Sequence, residues 1–134
     1  MEKMRILAID DNTVNLATLE QELKSKYEVI PMISGRRAIK YLYREQVDLI
    51  LLDVEMPIMN GIKTLECIRE KKIYDAIPVM FLTADANEET VLEAGRLGVA
   101  DYLKKPYSCY SSIAHCCKGD TKTAYGYKWE YIGK

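Results

Sequence analysis

Residues 48–61 read DLILLDVEMPIMNG, and this stretch decides the predicted fold. Four consecutive apolar residues, 49–52, lead directly into Asp53, and an Asn-Gly pair follows at 60–61. A short unbroken run of Leu and Ile is typical of a strand that is buried on both faces of a parallel sheet. The stretch therefore predicts a buried strand whose last residue is a carboxylate at the rim of the sheet, with a helix opening at Asn-Gly.

The same alternation of apolar runs and helical patterns recurs along the whole chain. Apolar runs predict five strands, at 4–9, 27–32, 47–53, 77–83 and 99–104. Apolar residues at helical spacing predict helices at 13–26, 35–45, from 61 onward, at 87–97 and from 107 onward. Asn12 or Thr13 is the expected cap of the first helix. The order predicts an α/β fold with a doubly wound, five-stranded parallel sheet.

The composition sets limits on the class of protein. The chain has 134 residues, which suits one compact domain, and its net charge is −1. This balance gives no basic field that would attract nucleic acid or a membrane surface. The apolar runs are far shorter than the roughly 20 residues that span a bilayer. The N-terminal MEKMRILAIDD lacks the pattern of a signal peptide. We therefore expect a cytoplasmic protein.

Polar residues follow the predicted strands at the edge where open parallel sheets bind ligands. The first strand leads into Asp10 and Asp11, the third ends in Asp53, the fourth in Thr83, and Lys105 follows the fifth. Each of these residues taken alone is an ordinary cap, turn or surface residue. If the first and third strands are neighbours, however, three carboxylates converge and repel one another unless a cation intervenes. An oxygen-only cluster of this kind predicts a Mg²⁺ site.

Four pieces of the sequence together resemble the receiver domain of two-component response regulators. They are ILAIDD (6–11), DLILLDVEMPIMNG (48–61), IPVMFLTA (77–84) and ADYLKKPY (100–107). The separations, 30 residues from Asp53 to Thr83 and 52 from Asp53 to Lys105, are also similar to those of the family. The resemblance covers residues 4 to about 117 and implies a flavodoxin-like three-layer sandwich.

The resemblance implies that Asp53 accepts a phosphoryl group. Asp10 and Asp11 would bind Mg²⁺ together with Asp53 and the backbone carbonyl of Glu55. The expected donor is a sensor histidine kinase or a phosphotransfer protein. An output partner, or a second copy of the chain in a homodimer, would then read the phosphorylated state. Such a domain catalyses only its own phosphorylation and dephosphorylation, so we do not expect an enzyme with other substrates.

Three further residues receive roles from the resemblance. Thr83 hydrogen-bonds the phosphoryl group, Lys105 pairs with it, and Tyr102 is the aromatic switch residue. Phosphorylation is expected to favour the state in which Thr83 moves toward the phosphoryl group and Tyr102 rotates inward. The response is then a shift of population between two conformations.

Three alternatives compete with this interpretation. An aspartyl-phosphate-forming phosphatase could use Glu55, two residues after Asp53, as a general acid, but such enzymes generally have a cap or a larger chain. A flavodoxin-like electron carrier needs a Ser/Thr/Gly-rich loop after the first strand, where this chain has the acidic IDDNTVN. A phosphate-independent binding module of receiver type would lack one of the site residues, all of which are present.

The end of the chain departs from the family pattern. We assign residues 1–118 to the receiver domain and residues 119–134 to an atypical tail. Between 125 and 131 an aromatic residue recurs at every second position, which is the period of a strand with one aromatic face. The tail is either an extended segment that covers an apolar surface or a non-native extension.

Overall fold

The computed structural model describes residues 3–83, 95–99 and 101–104, and for Thr83 and residues 101–104 it describes the backbone alone. The strands are β1 (Met4–Ile9), β2 (Tyr27–Met32), β3 (Leu49–Asp53), β4 (Val79–Thr83) and β5 (Asp101–Lys104). The helices are α1 (Thr13–Leu23), α2 (Gly35–Leu42) and α3 (Gly61–Arg69), followed by a 3₁₀ helix at Lys72–Tyr74. In this part of the chain no helix is long and apolar enough to cross a membrane.

The five strands form one parallel sheet in the order β2-β1-β3-β4-β5. β1 and β3 are hydrogen-bonded neighbours at its centre, with Ile9 opposite Leu52. On its other side β3 pairs with β4, where Asp53 lies opposite Leu82. The predicted doubly wound parallel sheet is confirmed. The order also places the ends of β1 and β3 side by side, as the convergence of the carboxylates requires.

Two hydrophobic cores lie on opposite faces of the sheet, because successive side chains of a strand point to opposite faces. One face is covered by α1, through Leu16, Leu19 and Leu23. The other face is covered by α2 and α3, whose buried residues include Ala38 and Leu65. Every residue of β3 is buried, which explains the unbroken apolar run at 49–52; the last residue of the strand, Asp53, is a buried carboxylate.

The ends of several elements differ from those predicted. Strands β3, β4 and β5 begin two residues later than predicted, at residues 49, 79 and 101. The apolar residues before them, Val47, Ile77 and Val99, still pack into the core. An apolar run in the sequence therefore marks buried residues, including some that lie outside the hydrogen-bonded strand. The first two helices end three residues earlier than predicted, at Leu23 and Leu42.

Some predicted elements lie outside the described residues. These are most of the helix at 87–97, the helix from 107 onward and the tail at 119–134. Gly98, directly after the helix predicted at 87–97, has a φ of 72°. Its N–H bonds to the carbonyl of Gly95 at 3.2 Å. A glycine in this left-handed conformation is typical of a helix end.

Candidate functional site

Three carboxylates meet at the carboxyl edge of the sheet. Asp10 and Asp11 follow β1, and Asp53 is the last residue of β3. One carboxylate oxygen from each lies within 4.8 Å of the others. The structure thus brings together the three acidic residues that the sequence pattern predicted to converge.

The cluster is largely withdrawn from solvent. Asp10 has no exposed surface and Asp53 is 2% exposed, whereas Asp11 is exposed. Burying a carboxylate is unfavourable unless hydrogen bonds or a cation stabilise its charge. The hydrogen bonds of Asp10 and Asp53 therefore matter to both folding and function.

The first turn of α1 supplies hydrogen bonds to Asp10. The backbone N–H of Asn12 donates to Asp10 Oδ1 at 2.9 Å, and Asn15 Nδ2 donates to Asp10 Oδ2 at 3.2 Å. Asn12 also caps the helix, since its side-chain oxygen accepts from the N–H of Val14 at 2.9 Å. The cap at Asn12 was predicted, whereas Asn15 was missed. Its position in the first helical turn, five residues after Asp10, is the signal that could have identified it.

Asp53 is fixed by the loop and helix that follow β3. The backbone N–H of Glu55 donates to Asp53 Oδ1 at 3.2 Å, while the Glu55 side chain is exposed. Asn60 caps α3 by accepting from the N–H of Lys63 at 2.9 Å, as the Asn-Gly pair predicted. Gly61 packs directly against the backbone of Asp53. The strand end is thus held from two sides.

Two more of the predicted site residues, Thr83 and Tyr102, belong to strands β4 and β5, on the other side of β3. Thr83 is the last residue of β4, beside β3, and the backbone of Tyr102 in β5 lies opposite Phe81. The side chains of Thr83 and Tyr102, and the whole of Lys105, lie outside the described residues. Their roles remain predictions.

The donor set determines which ions the cluster could hold. All three side chains offer carboxylate oxygens, the hard ligands that Mg²⁺, Ca²⁺ and Mn²⁺ prefer over the nitrogen and sulfur ligands of zinc sites. The backbone N–H of Asn12 fixes one carboxylate oxygen of Asp10, and the backbone N–H of Glu55 fixes one of Asp53. The site is therefore an acidic pocket that could bind a divalent cation.

The fold and the pocket define a flavodoxin-like α/β domain with an acidic site between its central strands. The sequence profile of the response regulator receiver domain matches residues 6–113, and the chain belongs to this family. The resemblance stated from the sequence is thereby confirmed.

The proteins that are similar in sequence are longer than this chain, and the match covers only part of each. The chain is 39% identical over 106 residues to the transcriptional regulatory protein ZraR of Escherichia coli, and this covers 78% of the chain and 24% of ZraR. It is 35% identical over 108 residues to a Vibrio cholerae protein named "Probable cyclic di-GMP phosphodiesterase", covering 81% of the chain and 24% of that protein. Since the chain spans about a quarter of each relative, the activities in these names are not assigned to it.

Solved structures of receiver proteins share the fold of this chain. The chemotaxis protein CheY4 of Vibrio cholerae superposes with a TM-score of 0.80 at 25% identity, over 87% of this chain and 98% of CheY4. A response regulator receiver protein from Pseudomonas putida superposes with a TM-score of 0.79 at 25% identity, over 88% of this chain and 98% of that protein. None of the three alternatives, a phosphatase-like enzyme, a flavodoxin-like electron carrier or a phosphate-independent module, gains support from these comparisons.

Proposed function

We propose that this receiver domain takes a phosphoryl group onto Asp53 and changes conformation in response. The observation that carries the proposal is the convergence of three carboxylate oxygens within 4.8 Å at the end of β3. Asp53 is the buried carboxylate that lies at the strand end between the Asp10–Asp11 pair and Thr83. In this position a phosphoryl group on Asp53 would be flanked by a metal ligand pair on one side and a hydroxyl on the other.

Mg²⁺ is the cation we propose for the pocket. Asp10, Asp11 and Asp53 would hold it together with the backbone carbonyl of Glu55. The oxygen-only donor set and the burial of two of the carboxylates support this choice. When bound, Mg²⁺ neutralises the charge that spreads over the phosphoryl oxygens during transfer.

The reaction at Asp53 is a nucleophilic substitution at phosphorus. A carboxylate oxygen of Asp53 forms the new P–O bond while the P–N bond to the donor imidazole breaks. The bonding electron pair stays on the imidazole nitrogen. The ring leaves as neutral imidazole when its other nitrogen already carries a proton, and otherwise it takes a proton from solvent. The N–H of Glu55, bonded to Asp53 Oδ1 at 3.2 Å, holds the carboxylate in one orientation for the attack.

The conformational change would involve residues at the ends of β4 and β5, beside Asp53. We propose that Thr83 and Lys105 contact the phosphoryl group and that Tyr102 follows Thr83 inward. A sensor histidine kinase or a phosphotransfer protein in the cytoplasm is the proposed donor. An output protein or a second copy of the chain would read the new conformation. The chain itself would catalyse only its own phosphorylation and dephosphorylation.

Mass spectrometry of the intact chain tests the proposal. After incubation with acetyl phosphate and Mg²⁺, we expect one phosphoryl group per chain, and none without Mg²⁺ or in Asp53→Asn. Asp48→Asn is the matched control, because Asp48 precedes the amino end of β3 and accepts a hydrogen bond from the N–H of Arg5 at 2.7 Å. It should be phosphorylated like the wild type. Phosphate retained on Asp53→Asn would contradict the assignment.

A further inference from the structure

Helix α2 presents a strip of basic side chains to solvent. Its sequence, GRRAIKYL, holds three basic residues and no acidic one, and Arg44 follows one turn after Lys40. Arg36, Arg37 and Lys40 lie within about 100° of the helix circumference, and one turn separates charges by roughly 6 Å. All four residues are exposed. We call Arg36, Arg37, Lys40 and Arg44 the basic strip.

The charges of the basic strip do not stabilise the helix that carries them. Arg36 and Arg37 lie in the first turn of α2, where the helix dipole favours acidic residues. Arg36 also repels Lys40, four residues later on the same face. In the described part of the chain none of the four side chains forms an ion pair. Glu45, the first acid after the strip, instead pairs with Arg5 at 3.5 Å. The strip therefore holds positive charge that no ion pair of the described fold uses.

An apolar pocket opens at the end of the basic strip, at the amino edge of the sheet. Its volume is about 410 Å³, a size typical of binding pockets, and both Tyr43 and Arg44 line it. Tyr43 is 57% exposed, and Ile73, on the opposite wall, is 78% exposed. The Tyr74 hydroxyl donates to the carbonyl of Leu42 at 3.1 Å and so ties the two walls together. The pocket is therefore already formed in the free chain.

We propose that the basic strip and this pocket together bind an acidic segment of a partner protein. Carboxylates of the segment face the strip, and one apolar or aromatic side chain enters the pocket as an anchor. None of these residues belongs to the acidic pocket at the carboxyl edge, so the inference does not depend on the chemistry of Asp53.

Charge complementarity selects this occupant over the others. A second copy of the chain, in a symmetric contact, would place one basic strip against another. Residues 119–134 of the chain contain three lysines and two acidic residues, so they offer no net negative charge to the strip. Nucleic acid and anionic membranes have the right charge, but neither supplies an apolar side chain for the pocket. An acidic protein segment satisfies both parts of the site.

Fluorescence anisotropy with two labelled peptides tests the proposal. The first peptide has one phenylalanine between two runs of glutamate, and the second has serine in place of the phenylalanine. At physiological ionic strength, charges more than about 8 Å apart are largely screened, so general attraction contributes little. We expect the wild type to bind the phenylalanine peptide about fivefold or more tightly than the serine peptide.

Two variants assign this binding to the two parts of the site. In Lys40→Glu the affinity for the phenylalanine peptide should fall about tenfold, because an attractive charge becomes a repulsive one. The variant should be at least as stable as the wild type, since it removes repulsion from Arg36. Ile73→Asn should abolish the preference for phenylalanine, because Ile73 lines the pocket.

Lys24→Glu is the matched control, because it changes the net charge equally and lies at the end of α1, on the opposite face of the sheet. It should bind the phenylalanine peptide like the wild type. Absence of binding by the wild type, equal affinity for the two peptides, or equal weakening in Lys24→Glu and Lys40→Glu would overturn the proposal. Tighter binding of a single-stranded oligonucleotide or of phosphatidylserine vesicles than of the phenylalanine peptide would also overturn it.

Discussion

Gly61 lies in direct contact with the backbone of Asp53. A Cβ at position 61 would stand 2.3 Å from the carbonyl oxygen of Asp53 and 2.8 Å from Cα of Val54. The N–H of Gly61 also donates to the carbonyl of Val54 at 2.9 Å. α3 therefore begins against the strand end that carries the proposed acceptor, and only glycine fits there.

We expect Gly61→Ala to lower stability and to slow phosphorylation. The atoms that meet the new Cβ belong to the backbone and cannot move aside, and overpacking of this kind costs about 1–3 kcal/mol. The shift would also displace Asp53. Urea denaturation and the initial rate of labelling by acetyl phosphate measure the two effects.

Gly98→Ala is the control for the Gly61 substitution. Gly98 has a φ of 72°, but a Cβ at this position would meet no atom of the described residues within 4 Å, so its cost arises from backbone conformation alone. That cost is about 1–2 kcal/mol. Its labelling rate should match the wild type. Equal labelling rates for the two variants would show that contact with Gly61 does not position Asp53.

Substitution of Asp11 separates metal binding from folding. In EDTA, Asp11→Ala removes repulsion toward Asp10 and Asp53, so the variant should be at least as stable as the wild type. With Mg²⁺ we expect the affinity to fall about tenfold, or about 1.4 kcal/mol, because one oxygen ligand is lost. Thermal unfolding at several Mg²⁺ concentrations measures both. Lower stability in EDTA with unchanged Mg²⁺ affinity would assign Asp11 a purely structural role.

Asn15 is expected to support metal binding through Asp10. Asn15→Leu removes the donor that lies 3.2 Å from Asp10 Oδ2, and leucine retains helix propensity. Loss of such a supporting hydrogen bond typically weakens metal affinity by about 10–100-fold. Thr18→Val is the control, because the Thr18 hydroxyl donates within α1 to the carbonyl of Val14 at 3.0 Å. Calorimetric titration with Mg²⁺ should find weaker binding in Asn15→Leu alone; equal affinities would refute the role.

The fold was predictable where a strand is buried on both faces. Residues 49–52 of β3 form an apolar run because they are buried on both faces of the sheet, and the described helices between the strands carry apolar stripes. The 3₁₀ helix at Lys72–Tyr74 was not predicted. It is held by distant partners: Tyr74 donates its hydroxyl to the carbonyl of Leu42 at 3.1 Å, and Arg69 donates to the carbonyl of Tyr74 at 2.8 Å. Local periodicity does not encode such contacts.

The candidate site was predictable in part. Asp10, Asp11 and Asp53 could be found because a position at a strand end fixes the edge of the sheet that a side chain reaches. The position of Asn15 in the first turn of α1 could have suggested its hydrogen bond to Asp10, but the bond itself also depends on how α1 is set against β1. The positive φ of Ile58 was not predictable, because residue preferences predict the opposite conformation for isoleucine. The roles of Thr83, Tyr102 and Lys105, and the domain boundary at residue 118, stay predictions.

Ile58, in the loop after Asp53, has a φ of 69°, a conformation that strains a β-branched residue. This strain predicts that a substitution at Ile58 stabilises the protein. Asparagine tolerates positive φ better than isoleucine, and the exposed side chain loses no burial, so Ile58→Asn should raise the free energy of unfolding by about 1 kcal/mol. Ile73→Asn, without positive φ, should stay within about 0.5 kcal/mol of the wild type. Urea denaturation measures both. A less stable Ile58→Asn would instead mean that Ile58 supports the fold.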